Sequence, residues 1–159
     1  IETLVIRSDL KDHYLKDNKH TAIHHHTDLR SIYVEGMVTS YAYMNDKPSI
    51  VNRQLERYHE NGMPYQYDQF ETGVLIRKNN KDANEFSKEV YTELTTDSIR
   101  DQISTPYIVW NRREKGDKGI LTITESLTAH KGQLPLEKSK IFFTEPKPSD
   151  KLKEDLTKR

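Results

Sequence analysis

The 159-residue chain contains no cysteine. That absence excludes disulfides, thiolate metal sites and cysteine nucleophiles, and it fits a reducing compartment, so we expect a cytoplasmic protein. No apolar run approaches the roughly 20 residues of a membrane-spanning helix, and no signal peptide is visible. Lys and Arg number 25, as do Asp and Glu. The resulting zero net charge argues against broad electrostatic binding to nucleic acid or to an anionic membrane.

Several motifs of nucleotide-binding and hydrolytic sites are also missing from the chain. It has no Gly-x-Gly-x-x-Gly, no phosphate-loop pattern, no Gly-x-Ser-x-Gly elbow and no His-Glu-x-x-His. Asp-x-Asp is absent as well. The chain begins with Ile1 rather than Met, which we interpret as a sign that it is a piece of a longer protein.

The sequence that is present predicts one α/β domain with a modest core, since 33% of residues are apolar and 31% are charged. Apolar residues alternate in some segments and recur at helical spacing in others, so strands alternate with helices. The predicted strands are 2–7, 21–26, 70–78, 119–124 and 140–145. The predicted helices are 28–44, 47–62 with Ser49 as its cap, 82–94, and 97–113, kinked or interrupted near Pro106. We assign 1–145 to the domain and the highly charged 146–159 to a tail outside its core.

Histidines form the first candidate site. In the triplet His24–His26 only the first and last side chains share a strand face, and such a pair can chelate a transition metal. The alternative is a strand end with one buried, hydrogen-bonded histidine. His130, in the sequence Ala-His-Lys-Gly, is either a surface residue or part of a loop that approaches an anion.

The predicted strand Phe-Glu-Thr-Gly-Val-Leu-Ile-Arg-Lys is a second candidate. A glycine inside a strand, here Gly73, often marks a close approach by a ligand or by another backbone. Glu71, two residues earlier, is predicted to stay exposed at the sheet edge. The alternative is an ordinary central strand.

The triplet Arg100-Asp101-Gln102 stands at the head of an apolar stretch. Helix capping alone explains Asp101, because the helix dipole favours a carboxylate there. It does not explain the neighbours. Asp and Gln together offer acceptors and donors that match vicinal sugar hydroxyls, while Arg offers a fork that binds phosphate or holds a carboxylate.

Four segments in order resemble the TOD1/MUCI70-type glycosyltransferase-like domain family, formerly a domain of unknown function. They are HHHTDLRSIYVEG, VNRQLERYHENGMP, FETGVLIRKNN and SIRDQISTPYIVW, and they cover roughly residues 24–110. Gln54, Tyr58, Gly62 and Pro64 match the family's Gln-x-x-x-Tyr-x-x-x-Gly-x-Pro pattern. The most specific piece is the Arg-Asp-Gln signature. More distantly, the arrangement is similar to glycogenin-type transferases.

The resemblance implies a GT-A-like mixed sheet flanked by helices, with this chain as the C-terminal part of the domain. It implies transfer of a sugar from a nucleotide-sugar donor to a carbohydrate or other hydroxyl acceptor, assisted by Mn²⁺ or Mg²⁺. The family's upstream acidic motif is not in this chain. By this resemblance the catalytic candidates are Asp101, Gln102 and Glu71, the substrate-binding candidates are Arg100, His26, Arg30, Glu35 and Thr72, and the metal ligand is His130.

Two other functions remain open at this point. The first is a non-catalytic descendant that binds carbohydrate or a partner through the same surface. The second is a small metal-binding or hydrolytic domain built on His24, His26 and His130.

Overall fold

The computed structural model describes residues 3–5, 9–26, 31–44, 46–124, 128–130 and 141–143. In the three short segments 3–5, 128–130 and 141–143 only the backbone is described. The chain divides into two compact units. One combines Ile1–Leu10 with Thr124–Arg159, and the other is Lys11–Ile123. The predicted tail, 146–159, lies outside the described residues.

The smaller unit contains a three-stranded sheet. Its strands are β1 (Thr3–Val5), β5 (Thr128–His130) and β6 (Ile141–Phe143). β6 is the central strand, antiparallel to β1 and parallel to β5.

The larger unit is a mixed sheet packed with helices, which confirms the predicted α/β class. The elements from residue 10 to residue 123 are α1 (Leu10–Tyr14), β2 (Thr21–His25), α2 (Ile32–Met37), a π-helix (Val38–Ala42), α3 (Pro48–Glu60), β3 (Phe70–Arg77), α4 (Lys81–Thr96), α5 (Asp101–Glu114) and β4 (Ile120–Ile123). The sheet has the order β3-β2-β4, in which β2 is antiparallel to β3 and parallel to β4. In the described part of the chain no helix is long and apolar enough to cross a membrane.

One apolar core holds the larger unit together. The rings of Tyr58 and Tyr107 stack at its centre, 3.7 Å apart and nearly parallel. Burial of such aromatic pairs contributes more than their area alone. The buried members of the core are Ile23, Ile32, Val51, Leu55, Tyr58, Met63, Phe70, Phe86, Ile103, Tyr107, Ile108, Val109 and Ile120.

Two helix starts and the interior of one helix correct the sequence prediction. α3 begins at Pro48 with Lys47 at the N-cap, so Ser49 is not its cap; proline suits the first helical position because that N–H has no helical partner. α5 begins at Asp101, and its cap is Arg100 rather than Asp97 or Ser98. The same helix runs through Pro106 without interruption.

Candidate functional site

The start of α5 is fixed by groups from outside the helix. The Arg100 cap makes no side-chain capping bond. Instead its backbone N–H donates to Ser98 Oγ (3.1 Å), and Ser98 Oγ donates to Asp46 Oδ2 (2.6 Å). Asp46 also accepts from the Ile99 N–H (3.1 Å). The loop that leads into the Arg-Asp-Gln triplet is therefore held by a carboxylate far away in the sequence.

Arg100 of the triplet binds both Glu35 of α2 and its own neighbour Gln102. Arg100 Nε donates to Glu35 Oε1 at 2.8 Å, and Arg100 Nη2 donates to Gln102 Oε1. The Glu35 side chain is only 5% exposed, so its charge needs this partner. Of the two roles considered for the arginine fork, the structure has it holding a carboxylate.

Asp101 faces a different environment from its neighbours. Successive helical positions are about 100° apart, so adjacent side chains leave the helix in different directions. Asp101 lines a cavity of about 300 Å³ together with Thr72 and with apolar side chains that include Phe86 and Leu94. Its carboxylate makes no hydrogen bond or ion pair with any other described side chain. Asp101 and Thr72 thus line the same cavity, and Arg100 is not among its lining residues.

An irregularity in β3 accompanies this cavity. Pairing with β2 passes from Ile23–Leu75 directly to His24–Glu71, so residues 72–74 lie outside the regular register. Such bulges re-aim side chains and are common beside functional sites. No heavy atom of the described residues outside its neighbours lies within 4 Å of a Cβ built on Gly73, so within that part of the chain no backbone requires a glycine there.

Glu71 does not line the Asp101 cavity. Its Oε2 lies 2.9 Å from Nδ1 of His24, whose side chain is 5% exposed. This arrangement matches the alternative to a histidine metal site, in which one histidine at the strand end is buried and hydrogen-bonded. His25 lies 3.8 Å from a carboxylate oxygen of Asp68.

Gln69 is a structural residue that sequence reasoning missed. Pro106 has no N–H, so the carbonyl of Gln102, four residues earlier, loses its helical donor. Gln69 Nε2 supplies the missing donor at 2.6 Å. The Gln69 carbonyl in turn accepts from the His26 N–H at 2.7 Å, which links the predicted residue His26 to the start of α5. A glutamine at the foot of a strand gives no sequence signal for this role.

The family-like residues Gln54 and Tyr58 form a buried polar network with α5. They are four residues apart and therefore share a helix face, and Gln54 Nε2 lies 2.8 Å from the Tyr58 hydroxyl and 3.3 Å from Ser104 Oγ. Gln54 Oε1 accepts from the Ser98 N–H at 3.3 Å. Gly62, with φ +94°, supplies the left-handed turn after α3.

The network continues to the charged end of α4. Tyr58 donates to Glu93 Oε2 at 2.6 Å, and burial together with this carboxylate raises the pKa of Tyr58 far above its usual range. Arg57 binds both Glu93 (2.7 Å) and Asp97 (2.6 Å), and Arg53 also donates to Asp97. Burial acts to raise the pKa of Asp97, but the bonds and charges of the two arginines outweigh it, and the pKa lies below its usual value.

The described residues contain no group of three His, Cys, Asp or Glu side chains arranged to hold a metal ion. His130 ends strand β5 rather than lying in the loop considered for it, and only its backbone is described there. Arg30 lies outside the described residues. The metal-site prediction for His130 and the substrate-site prediction for Arg30 therefore stay predictions. The small histidine-based metal domain gains no support from the described part of the chain.

Comparison with known proteins gave one finding. A family model described as TOD1/MUCI70, glycosyltransferase-like domain, matches residues 7–126, and this confirms the family predicted from the motifs. Searches of curated proteins and of solved structures gave no significant match.

Proposed function

The chain belongs to the TOD1/MUCI70 glycosyltransferase-like domain family, and we propose that it serves transfer of a sugar from a nucleotide-sugar donor to a hydroxyl group of an acceptor. The observation that carries this proposal is the cavity that Asp101 shares with Thr72. A carboxylate that no described side chain binds, in a mostly apolar cavity that a hydroxyl also lines, suits a polyhydroxyl ligand.

Asp101 is the proposed catalytic residue. In sugar transfer the acceptor oxygen bonds to the anomeric carbon, the bond from that carbon to the diphosphate breaks, and the acceptor proton must go to a base. A carboxylate within hydrogen-bond reach of the acceptor hydroxyl can take that proton. Glu71, the other carboxylate considered, is hydrogen-bonded to His24. Asp101 therefore fits the role of base better than Glu71.

Arg100, Gln102 and Glu35 are the proposed frame of the site. Arg100 uses Nε and Nη2 on Glu35 and Gln102, which locks the first turn of α5 against α2. Reacting groups need positions fixed within a fraction of an ångström, and this frame supplies that precision to Asp101. We assign these three residues to positioning and to the rim of the sugar site.

A divalent cation, Mn²⁺ or Mg²⁺, would neutralise the diphosphate leaving group. Because the described residues hold no three-ligand group, no role in metal binding is assigned to them.

Thermal unfolding against a panel of nucleoside-diphosphate sugars, with and without Mn²⁺, tests this proposal. A ligand that binds only the folded state raises the unfolding midpoint with its occupancy. We expect one donor to raise the midpoint, and we expect Asp101→Asn to abolish transfer of its sugar in a coupled assay.

Asp82→Asn is the matched control for this experiment. Asp82 also lies in the first turn of a helix, α4, so both substitutions remove the same interaction with a helix dipole. Only Asp101→Asn should affect the ligand-induced shift or the transfer rate. If no donor shifts the midpoint, or if both variants behave alike, the proposal fails.

A non-catalytic carbohydrate-binding function is the second candidate. The engagement of Arg100 by Glu35 favours it, because part of the guanidinium fork is no longer available for a phosphate. Sugar binding without release of nucleoside diphosphate would identify this function.

A further inference from the structure

The π-helix and the turn after it border a second cavity. This cavity of about 600 Å³ is lined by Ser40, Tyr41, Met44, Asp46 and Lys47, among others. None of these residues lines the Asp101 cavity. π-Helices are uncommon in proteins, and those that occur are frequently found at functional sites.

Two hydroxyls of the π-helix are buried without a described hydrogen-bond partner. They are Thr39 Oγ1 and Ser40 Oγ, in residues that are 0% and 5% exposed. Buried polar groups are normally satisfied, so an unsatisfied group at a cavity wall is a candidate ligand contact. Ser40 belongs to that wall.

The other lining groups define the chemistry of the ligand. Tyr41 is 63% exposed and Met44 is 81% exposed, although large apolar side chains are usually covered. An aromatic ring attracts the partially positive C–H face of a pyranose ring through its negative π-face. Asp46 and Lys47 add one acceptor and one donor for ring hydroxyls. The opposite charges of these two residues favour a neutral ligand.

We propose that this cavity, the π-turn cavity, binds pyranose units of a neutral oligosaccharide. Naming that oligosaccharide as the acceptor rests on the proposed function, whereas the binding itself does not. Asp46 connects the two regions, because the same carboxylate that lines the π-turn cavity holds Ser98 and Ile99 just before Arg100. A bound glycan that contacts Asp46 would therefore contact the residue whose carboxylate is hydrogen-bonded to the loop before the Arg-Asp-Gln triplet.

Saturation-transfer-difference NMR with cellotetraose, xylotetraose and mannotetraose at millimolar concentration tests the π-turn cavity. We expect at least one of these tetrasaccharides to bind. Tyr41→Ala should weaken that binding by about tenfold or more, as truncation of an aromatic anchor does. Ser40→Ala should weaken it less, by about threefold, the cost of one modest hydrogen bond.

Tyr43→Ala provides the matched control. Tyr43 is 59% exposed on the same turn but does not line the cavity, so its removal should leave tetrasaccharide binding unchanged. Absence of binding by all three tetrasaccharides would overturn the proposal, and so would an equal loss in the Tyr41 and Tyr43 variants. If a tetrasaccharide binds in a Tyr41-dependent way but no donor shifts the unfolding midpoint, the binding proposal for the π-turn cavity stands. The proposed transfer function is then rejected.

Discussion

Two regions of the larger unit treat their buried polar groups in opposite ways. In the network between α3, α4 and α5, Gln54 and Tyr58 are buried and bonded at each end. In the π-helix, Thr39 and Ser40 are equally buried, yet their hydroxyls have no partner among the described residues. Since an unpaired buried group costs about 1–3 kcal/mol, the first region stabilises the fold and the second retains a cost. The contrast distinguishes buried polar side chains that stabilise the fold from buried polar side chains that suit a ligand.

The charges of the two regions follow the same division. Asp97 ends α4, where the helix dipole disfavours a carboxylate, and Arg53 and Arg57 compensate for that position. Around the π-turn cavity, by contrast, Lys47 makes no ion pair with a described residue. We expect substitutions in the network to change stability and substitutions at the π-turn to change binding.

The largest effect is expected for Gln54→Leu. This change leaves the buried Ser98 N–H without its acceptor and removes the donor to Ser104 Oγ, so the free energy of unfolding should fall by about 2–4 kcal/mol. Urea unfolding measures it. Gln66→Leu, at an exposed position, is the control and should stay within about 0.5 kcal/mol. A loss below about 1 kcal/mol for Gln54→Leu would contradict the structural role of the network.

A pH series on Asp97→Asn should give the next largest effect. The pKa of Asp97 is lowered in the folded state, so its contribution to stability is present above the unfolded value of about 3.9. That contribution is lost as the pH falls through the folded pKa. At neutral pH the variant should be about 1–2 kcal/mol less stable than the original chain. The two stability curves should converge below about pH 4, and parallel curves would refute the assignment.

Ser104→Ala should have a smaller effect in the same direction. Its hydroxyl accepts from Gln54 Nε2, which keeps a second partner in Tyr58. The free energy of unfolding should therefore fall by about 1 kcal/mol, as measured in urea. A loss as large as that of Gln54→Leu would mean that Ser104 has a role beyond this single bond.

Thr39→Val should have the smallest effect and the opposite sign. The two side chains have nearly the same shape, and the substitution removes an unsatisfied hydroxyl from a buried site. The free energy of unfolding should rise by up to about 1 kcal/mol, measured by the same urea titration. Destabilisation would show that the hydroxyl is satisfied, and the contrast between the two regions would then disappear.

Much of the fold could be predicted from local sequence, because periodicity and capping are local. The apolar stripe of α4, with Ala83 and Phe86 buried, was predicted from its helical spacing. The predicted first residues of α3 and α5 were wrong. The cause is local at α3 and depends on a residue distant in the sequence at α5. At α3, Pro48 fits the first helical position better than Ser49 fits the cap. At α5, the Ser98 hydroxyl is hydrogen-bonded to Asp46 rather than capping the helix, and the helix begins at Asp101.

The candidate site was only partly predictable. The triplet Arg100-Asp101-Gln102 was identified from its unusual polarity, but its members were expected to act together. In the structure Arg100 binds both Glu35 and Gln102, whereas Asp101 lines the cavity with Thr72. Gln69 and the π-turn cavity had no sequence signal, because neither a lone glutamine nor an exposed tyrosine marks a site.

The sequence by itself determined the family, the α/β class, and the i to i+4 contact of Gln54 with Tyr58. Those features depend on residues close together in the chain, where backbone geometry fixes which side chains meet. Only the tertiary structure decided that Arg100 binds a glutamate 65 residues earlier, or that Gln69 replaces the donor that Pro106 lacks. Such pairs form only after packing brings distant elements together, and neither partner's local sequence encodes the distance between them.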